Sequence, residues 1–234
     1  MYSLLIAPDD SGVGFGLVSA PCCTPPPQSE YRRFFNRRIA GLDLRRYRRK
    51  GLPRTARDLV ALAGDVEGAT VLEVGGGIGT LALALLDAGA ASATNVELSA
   101  GYEDAAAALL EERGLAGRVE RRVADFVAEA DGIPPHDVVV LHRVVCCYPD
   151  ADALVTAAAA RARGALLLTY PRERALTRAG FVAINGWLRF RRCGFRTFVH
   201  APSAIAAAAT REGLQPGPRS REGAIWENAV FTRP

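Results

Sequence analysis

Apolar positions along this chain fall into short unbroken runs that alternate with stretches of helical spacing. ATVLEV (69–74) is almost wholly apolar and closed by glycines, as a strand covered on both faces is. TLALALLDAGA (80–90) predicts a helix with glycine near its end, and ATNVEL (93–98) a second strand. A helix over 100–113 stops at Gly114. RVERRVA (118–124) alternates apolar and charged residues, as a half-buried strand does. DVVVLH (137–142), an alanine-rich helix over 151–163 and the run ALLLTYP (165–171) follow. A helix over 203–212 and two strand-like stretches, 214–221 and 224–232, complete the chain.

Alternating strands and helices of this kind predict a doubly wound α/β fold, with a mostly parallel sheet and helices on both faces. Crossovers must be right-handed. The last two strands have no helix between them, so they predict a hairpin about residues 221–223 and an antiparallel strand at the sheet edge. Ahead of the first strand, residues 1–29 end in PCCTPPPQS and read as an irregular arm. Residues 30–64 read as a helical cap carrying Tyr31, Phe34, Phe35 and Ile39, then Leu59, Val60 and Leu62. Residues 65–234 form the main domain. Within it, the aromatic and basic segment 172–201 breaks the rhythm after a core strand, where it is placed to act as a substrate lid.

Charge adds one feature. The net charge is +4, yet residues 30–50 alone carry +7, leaving −3 for the rest. Such a patch suits an anionic partner, although Lys50 is the only lysine in the chain and arginine density is partly a compositional habit. No apolar run has the ~18–20 residues of a membrane span. The five cysteines include two adjacent pairs, Cys22-Cys23 and Cys146-Cys147, a poor disulfide framework that suits a reduced, cytoplasmic setting. Tetrahedral thiolate sites space their cysteines by two or more residues. No metal site is therefore expected, and Cys146 and Cys147 read as small buried hydrophobes.

The chemistry is signalled by VLEVGGGIG (71–79), between a strand and a helix. Gly75 and Gly77 permit a tight turn and close approach to a ligand, and Gly79 permits helix to pack on strand. The helix start offers free N–H groups. Nicotinamide domains use the same device. Glu73 tilts the choice, because an acid just before the glycines suits a cofactor with a sulfonium and an amino group. Glu97, ending the second strand about 20 residues on, can accept from ribose hydroxyls. Asp125 and Phe126 follow the third strand, where an acid can accept from an adenine amino group and a ring can cover it.

The set VLEVGGGIG, NVELS, ADF and DVVVLHRVVCCYPD resembles the class I S-adenosylmethionine-dependent methyltransferases over residues 55–234. The resemblance implies a seven-stranded sheet with an antiparallel last strand, and cofactor contacts by Glu73, Gly75, Gly77, Gly79, Glu97 and Asp125. More loosely, FFNRRIAGLDLRRYRRKGL, ALLLTYPRERAL and RTFVHAPSAI are similar to magnesium-protoporphyrin O-methyltransferases.

Methyl transfer from a sulfonium is an in-line displacement that depends on alignment, and only a hydroxyl or amine acceptor calls for a base. His142, ending the fourth strand, is the candidate base, with Tyr148 in the same loop. Arg143 and His200 are candidate contacts for an acidic substrate. His136 reads as a surface-loop residue. The expected function is O-methylation of a small acidic or aromatic metabolite. The rival readings are an RNA methyltransferase using the arginine-rich 30–50 segment, a nicotinamide-dependent oxidoreductase and a non-catalytic relative.

Overall fold

A computed structural model describes residues 28–234. The arm expected over 1–29, with Cys22 and Cys23, lies outside them except for its last two residues. Those two open the first helix, α1 (Gln28–Phe34). Helices α2 (Arg37–Lys50) and α3 (Arg54–Leu62) precede β1 (Thr70–Val74), α4 (Thr80–Asp87), β2 (Ser92–Glu97), α5 (Glu103–Glu112) and β3 (Val119–Val123). Then come the short α6 (Phe126–Glu129), β4 (His136–His142), α7 (Ala151–Ala160), β5 (Ala162–Pro171), α8 (Ala175–Phe190) and α9 (Pro202–Arg211). The closing hairpin is β6 (Gln215–Glu222) and β7 (Trp226–Thr232).

The seven strands form one sheet in the order β3-β2-β1-β4-β5-β7-β6. Strands β1 to β5 pair in parallel. β7 pairs antiparallel with both β5 and β6, so the closing hairpin supplies the antiparallel edge and β7 is its inner strand. The chain lays β2 and β3 on one side of β1, then crosses to β4 on the other. The carboxyl ends of β1 and β4 thereby flank the crevice where such sheets bind ligands.

Period-two alternation sorts the strand residues between two apolar layers. Leu72, Val74, Leu141, Leu166 and Leu168 pack with α7 and α9 through Leu154, Val155 and Ile205. Val71, Val138, Val140 and Leu167 pack with α3 and α4 through Leu59, Leu81 and Leu85. Each fully buried leucine contributes roughly 2 kcal/mol. Helix α3, expected to belong to the cap, is thus part of a sheet-covering layer, and Asn228 Nδ2 on β7 donates to the Thr55 carbonyl at 3.0 Å. His136 is no surface residue either. It opens β4 and is buried, its Nδ1–H donating to Pro134 O at 2.7 Å while Nε2 accepts from Thr94 at 3.0 Å.

Helix α2 is capped at its start by Asn36, whose side chain accepts from the N–H groups of Arg38 and Ile39. It ends at Gly51, in the left-handed half of backbone space at φ +64. Ala40 and Leu44 turn toward α4 and α5, packing with Leu83, Leu109 and Leu110. The arginine-rich stretch divides by helix face. Arg37 pairs with Asp104 and Arg48 with Glu112, both acids of α5. Ile39, Asp43, Arg46, Tyr47 and Lys50, at helical spacing, line a cavity.

Candidate active site

The cavity opens at the carboxyl ends of β1, β2 and β4 and measures about 610 Å³, within the usual ~300–1,000 Å³ of small-molecule sites. Its floor is Val74, Gly75, Gly76 and Gly77 after β1, Glu97 at the end of β2, and Asp125 and Phe126 after β3. Its far wall is His142, Arg143, Val144, Cys147 and Tyr148, and α1, α2 and the turn Gly51-Leu52-Pro53 close it over.

The glycine turn owes its shape to two positions. Gly75 has φ +63, and a Cβ there would lie 2.8 Å from Cγ2 of Val144, so the β1 and β4 loops touch only because Gly75 has no side chain. Gly77 has φ +56, with Tyr102 3.1 Å from where its Cβ would be. Glu97 fixes the turn from below. Its Oε2 accepts from the Gly77 N–H and its Oε1 from the Ser99 N–H, both at 2.9 Å. Burial raises its pKa, and the bonds from Ser99 and Gly77 and the charge of Arg121 oppose that rise. Each oxygen accepts only one of these bonds and Glu97 lines the cavity, so the carboxylate retains capacity to accept from a diol. Asp125 caps α6 by accepting from the Val127 N–H at 3.1 Å, and Phe126 is buried beside it. Glycine backbone below, a carboxylate for a diol, and an acid beside a ring make a donor set that fits S-adenosylmethionine.

Two expected cofactor residues do not line the cavity. Glu73 shares the face of Val71, on the α4 side of the sheet. It is buried, its Oε2 accepting from Asn95 Nδ2 at 2.9 Å and from the Ala82 N–H in the first turns of α4 at 3.2 Å. Burial pushes its pKa up to about 7, against the lowering effect of those bonds. The odd-numbered register of β1 decides this, since cavity-lining Val74 shares the other face with Leu72 of the core. Gly79, at φ +81, likewise faces Arg121, Asn95 and Glu73. Both residues shape the turn from beneath. So does Arg121, unmarked in the sequence, whose Nη2 donates to the Gly77 carbonyl at 3.0 Å while pairing with Glu103 at 2.8 Å.

At the far wall, Arg143 adopts φ +61, rare for a residue with a side chain. The thiols of Cys146 and Cys147 both donate to its carbonyl, at 3.3 and 3.6 Å, so the cysteine pair supports that turn. The guanidinium lies 4.5 Å from the centre of the Trp226 ring, and Nη2 donates to the Thr55 hydroxyl at 2.9 Å. Its Nε is buried without a partner among the described residues. Thr55 also bonds His142 Nε2 at 2.9 Å. Burial, helped by the Arg143 charge, lowers the His142 pKa to about 3. The ring is therefore neutral, and Thr55 donates to Nε2. A group so weakly basic, already holding a proton donor, is a poor general base. Thr55 had no motif to mark it; only the fold brings it beside residues 87 and 88 positions away.

Tyr148 lines the cavity, and burial with the charges of Asp125 and Asp150 raises its pKa to about 12, so it presents a hydroxyl donor. His200 does not line the cavity. Its Nε2 bonds the carbonyl of Tyr148 at 2.9 Å and its ring stacks on Phe198, so it braces the loop from behind. The segment 172–201, expected as a lid, contributes no lining residue either. It supports α1 instead. Phe195 stacks on Phe34 and meets Tyr31 edge-on, and Glu30 accepts from the Gly194 N–H. Tyr31 in turn donates to the Cys147 carbonyl at 2.8 Å.

No curated protein sequence matches the chain. Among solved structures, it resembles magnesium protoporphyrin IX methyltransferase from Synechocystis PCC 6803 with bound S-adenosylhomocysteine, at 20% identity and a TM-score of 0.67, covering 88% of this chain and 99% of that one. An O-methyltransferase family protein from Burkholderia thailandensis matches at 22% identity and a TM-score of 0.62, over 77% of this chain and 56% of that one. At these identities the likeness speaks for the fold. The family model of the methyltransferase domain matches residues 44–215, from the middle of α2 to the start of β6, and so spans the whole floor and far wall of the cavity. On that match the chain belongs to the methyltransferase domain family, and with this sheet order and donor floor it is a class I S-adenosylmethionine-dependent enzyme.

Proposed function

We propose that the enzyme methylates a carboxylate oxygen of a small acidic metabolite. One observation carries the reading: Arg46, Lys50 and Arg143 all line the cavity, and the guanidinium of Arg143 is held between Trp226 and Thr55. A planar cation fixed in this way suits an oxygen anion. The one carboxylate of that wall, Asp43, is engaged by the Tyr102 hydroxyl at 3.0 Å.

Bound S-adenosylmethionine supplies an electrophilic methyl group on sulfur. Gly75 to Gly77 would receive its methionine end, Glu97 its ribose hydroxyls, and Asp125 with Phe126 its adenine. The residues of the far wall then align the acceptor, which is the larger part of catalysis in such a displacement. A carboxylate is already deprotonated at neutral pH, so the low basicity of His142 is no handicap. His142 acts as a positioning residue through Thr55, and Tyr148 offers its hydroxyl to the acceptor. The fold shared with an O-methyltransferase family protein and a magnesium protoporphyrin IX methyltransferase agrees with a small-molecule acceptor.

The test has two stages. Calorimetric titration with S-adenosylhomocysteine should show binding that Glu97→Ala weakens about tenfold, with NAD silent; binding of NAD instead would move the case to an oxidoreductase. A panel of carboxylic acids, phenols and RNA should then yield alkali-labile methyl esters from the acids. Methylation confined to phenols or RNA would overturn the carboxylate reading.

A further inference from the structure

Helix α8 has 16 residues and buries only Thr177 and Leu188. A helix of that length is marginal in water unless an apolar face is covered. Here the apolar face is outward. Leu176 is 78% exposed, Val182 71%, Trp187 57% and Phe190 83%. Residues 176, 183, 187 and 190 recur at helical spacing, so Leu176, Ala183, Trp187 and Phe190 form one stripe, with Val182 beside it, on the side away from Leu188.

Arginine borders the stripe at both ends. Residues 172–192 contain six arginines and one acid, Glu173, which pairs with Arg178. The basic margin continues onto α1, where Arg33 Nη1 donates to the Arg192 carbonyl at 2.9 Å and Arg32 is exposed.

We propose that α8 docks this enzyme on an anionic lipid bilayer, its apolar stripe at the acyl boundary and its arginines among the phosphates. An apolar stripe needs an apolar medium and its margin needs anions; the surface of an anionic membrane offers both together. A second copy does not, since two-fold pairing would set one segment of net charge +5 against another. A nucleic acid would meet the arginines and leave Leu176 and Phe190 in water. The surface lies outside the cavity, so the inference stands apart from the identity of the acceptor.

The full-length protein is sedimented with vesicles of phosphatidylcholine alone and of equimolar phosphatidylcholine and phosphatidylglycerol. It should pellet with the mixed vesicles, be released by salt, and show tryptophan emission shifted to shorter wavelength. The double variant Trp187→Ser, Phe190→Ser should lose at least about tenfold in vesicle binding. Its affinity for S-adenosylhomocysteine should be unchanged, which also reports that it is folded. Failure of the parent protein to bind mixed vesicles, or equal binding by the double variant, would overturn the proposal. So would self-association that the double variant abolishes in the absence of vesicle binding, which would assign the stripe to a second copy.

Discussion

The two halves of the cavity are built from different materials. The donor half is backbone and short buried carboxylates: Gly75 and Gly77 at positive φ, Glu97 accepting two N–H groups, and Glu73 and Arg121 beneath. The proposed acceptor half is lined by long side chains from separate elements, Arg46 and Lys50 from α2 and Arg143 after β4, the last braced by Thr55 of α3 and Trp226 of β7. The first half tolerates almost no change in shape. The second defines a charge pattern more than a shape, so substitutions there are expected to act on the acceptor and not on the donor.

Four substitutions test that contrast, beginning with the most damaging. Gly75→Ala should strike the donor half hardest, because it combines a left-handed backbone with a Cβ 2.8 Å from Val144. About 3 kcal/mol, or roughly a hundredfold in calorimetric affinity for S-adenosylhomocysteine, is expected. Gly114→Ala is its control: φ is +64 but no atom lies within 4 Å of the new Cβ, so only about 1 kcal/mol of stability should go. Equal loss of donor affinity in both would refute a role for the Gly75–Val144 contact.

Glu73→Gln tests the layer beneath. The folded chain holds a proton on Glu73 up to about pH 7, whereas its unfolded value is 4.5. Between those values folding takes up a proton, so stability falls as pH rises through the window and is flat above it, by up to about 3 kcal/mol. Glutamine removes that slope. Denaturation midpoints at about pH 5 and about pH 8 should differ less in the variant than in the parent; an unchanged difference would mean Glu73 is ionised in the fold.

Arg143→Gln should leave donor affinity alone and raise the acceptor KM about thirtyfold, near 2 kcal/mol for a lost charged contact. An effect on S-adenosylhomocysteine binding of the same size would erase the distinction between the two halves. Thr55→Val, smallest of the four, removes the hydroxyl shared by His142 and Arg143. A severalfold rise in acceptor KM, about 1 kcal/mol, is expected, with Thr55→Ser restoring the parent value.

The same division separates the features written in local sequence from those that needed the whole fold. The seven strands, the glycine turn, and the placement of Glu97, Asp125 and Phe126 at strand ends follow from local pattern: apolar runs, period and glycine act over a few residues, and each leaves its mark in the chain. Alternation along β1 sets Glu73 opposite Leu72 and Val74, but which face lies against α4 was settled only by the fold, and the expected cofactor contact of Glu73 gave way to bonds from Asn95 and Ala82. Tertiary structure alone decided the rest. It buried His136 against Thr94, set α3 on the sheet rather than in the cap, and turned 172–201 into a support for α1. Above all it placed Thr55 between His142 and Arg143, a contact spanning 88 positions that no local spacing encodes. A strand or turn is a preference of neighbouring residues, whereas a clamp on a guanidinium exists only once distant elements have packed.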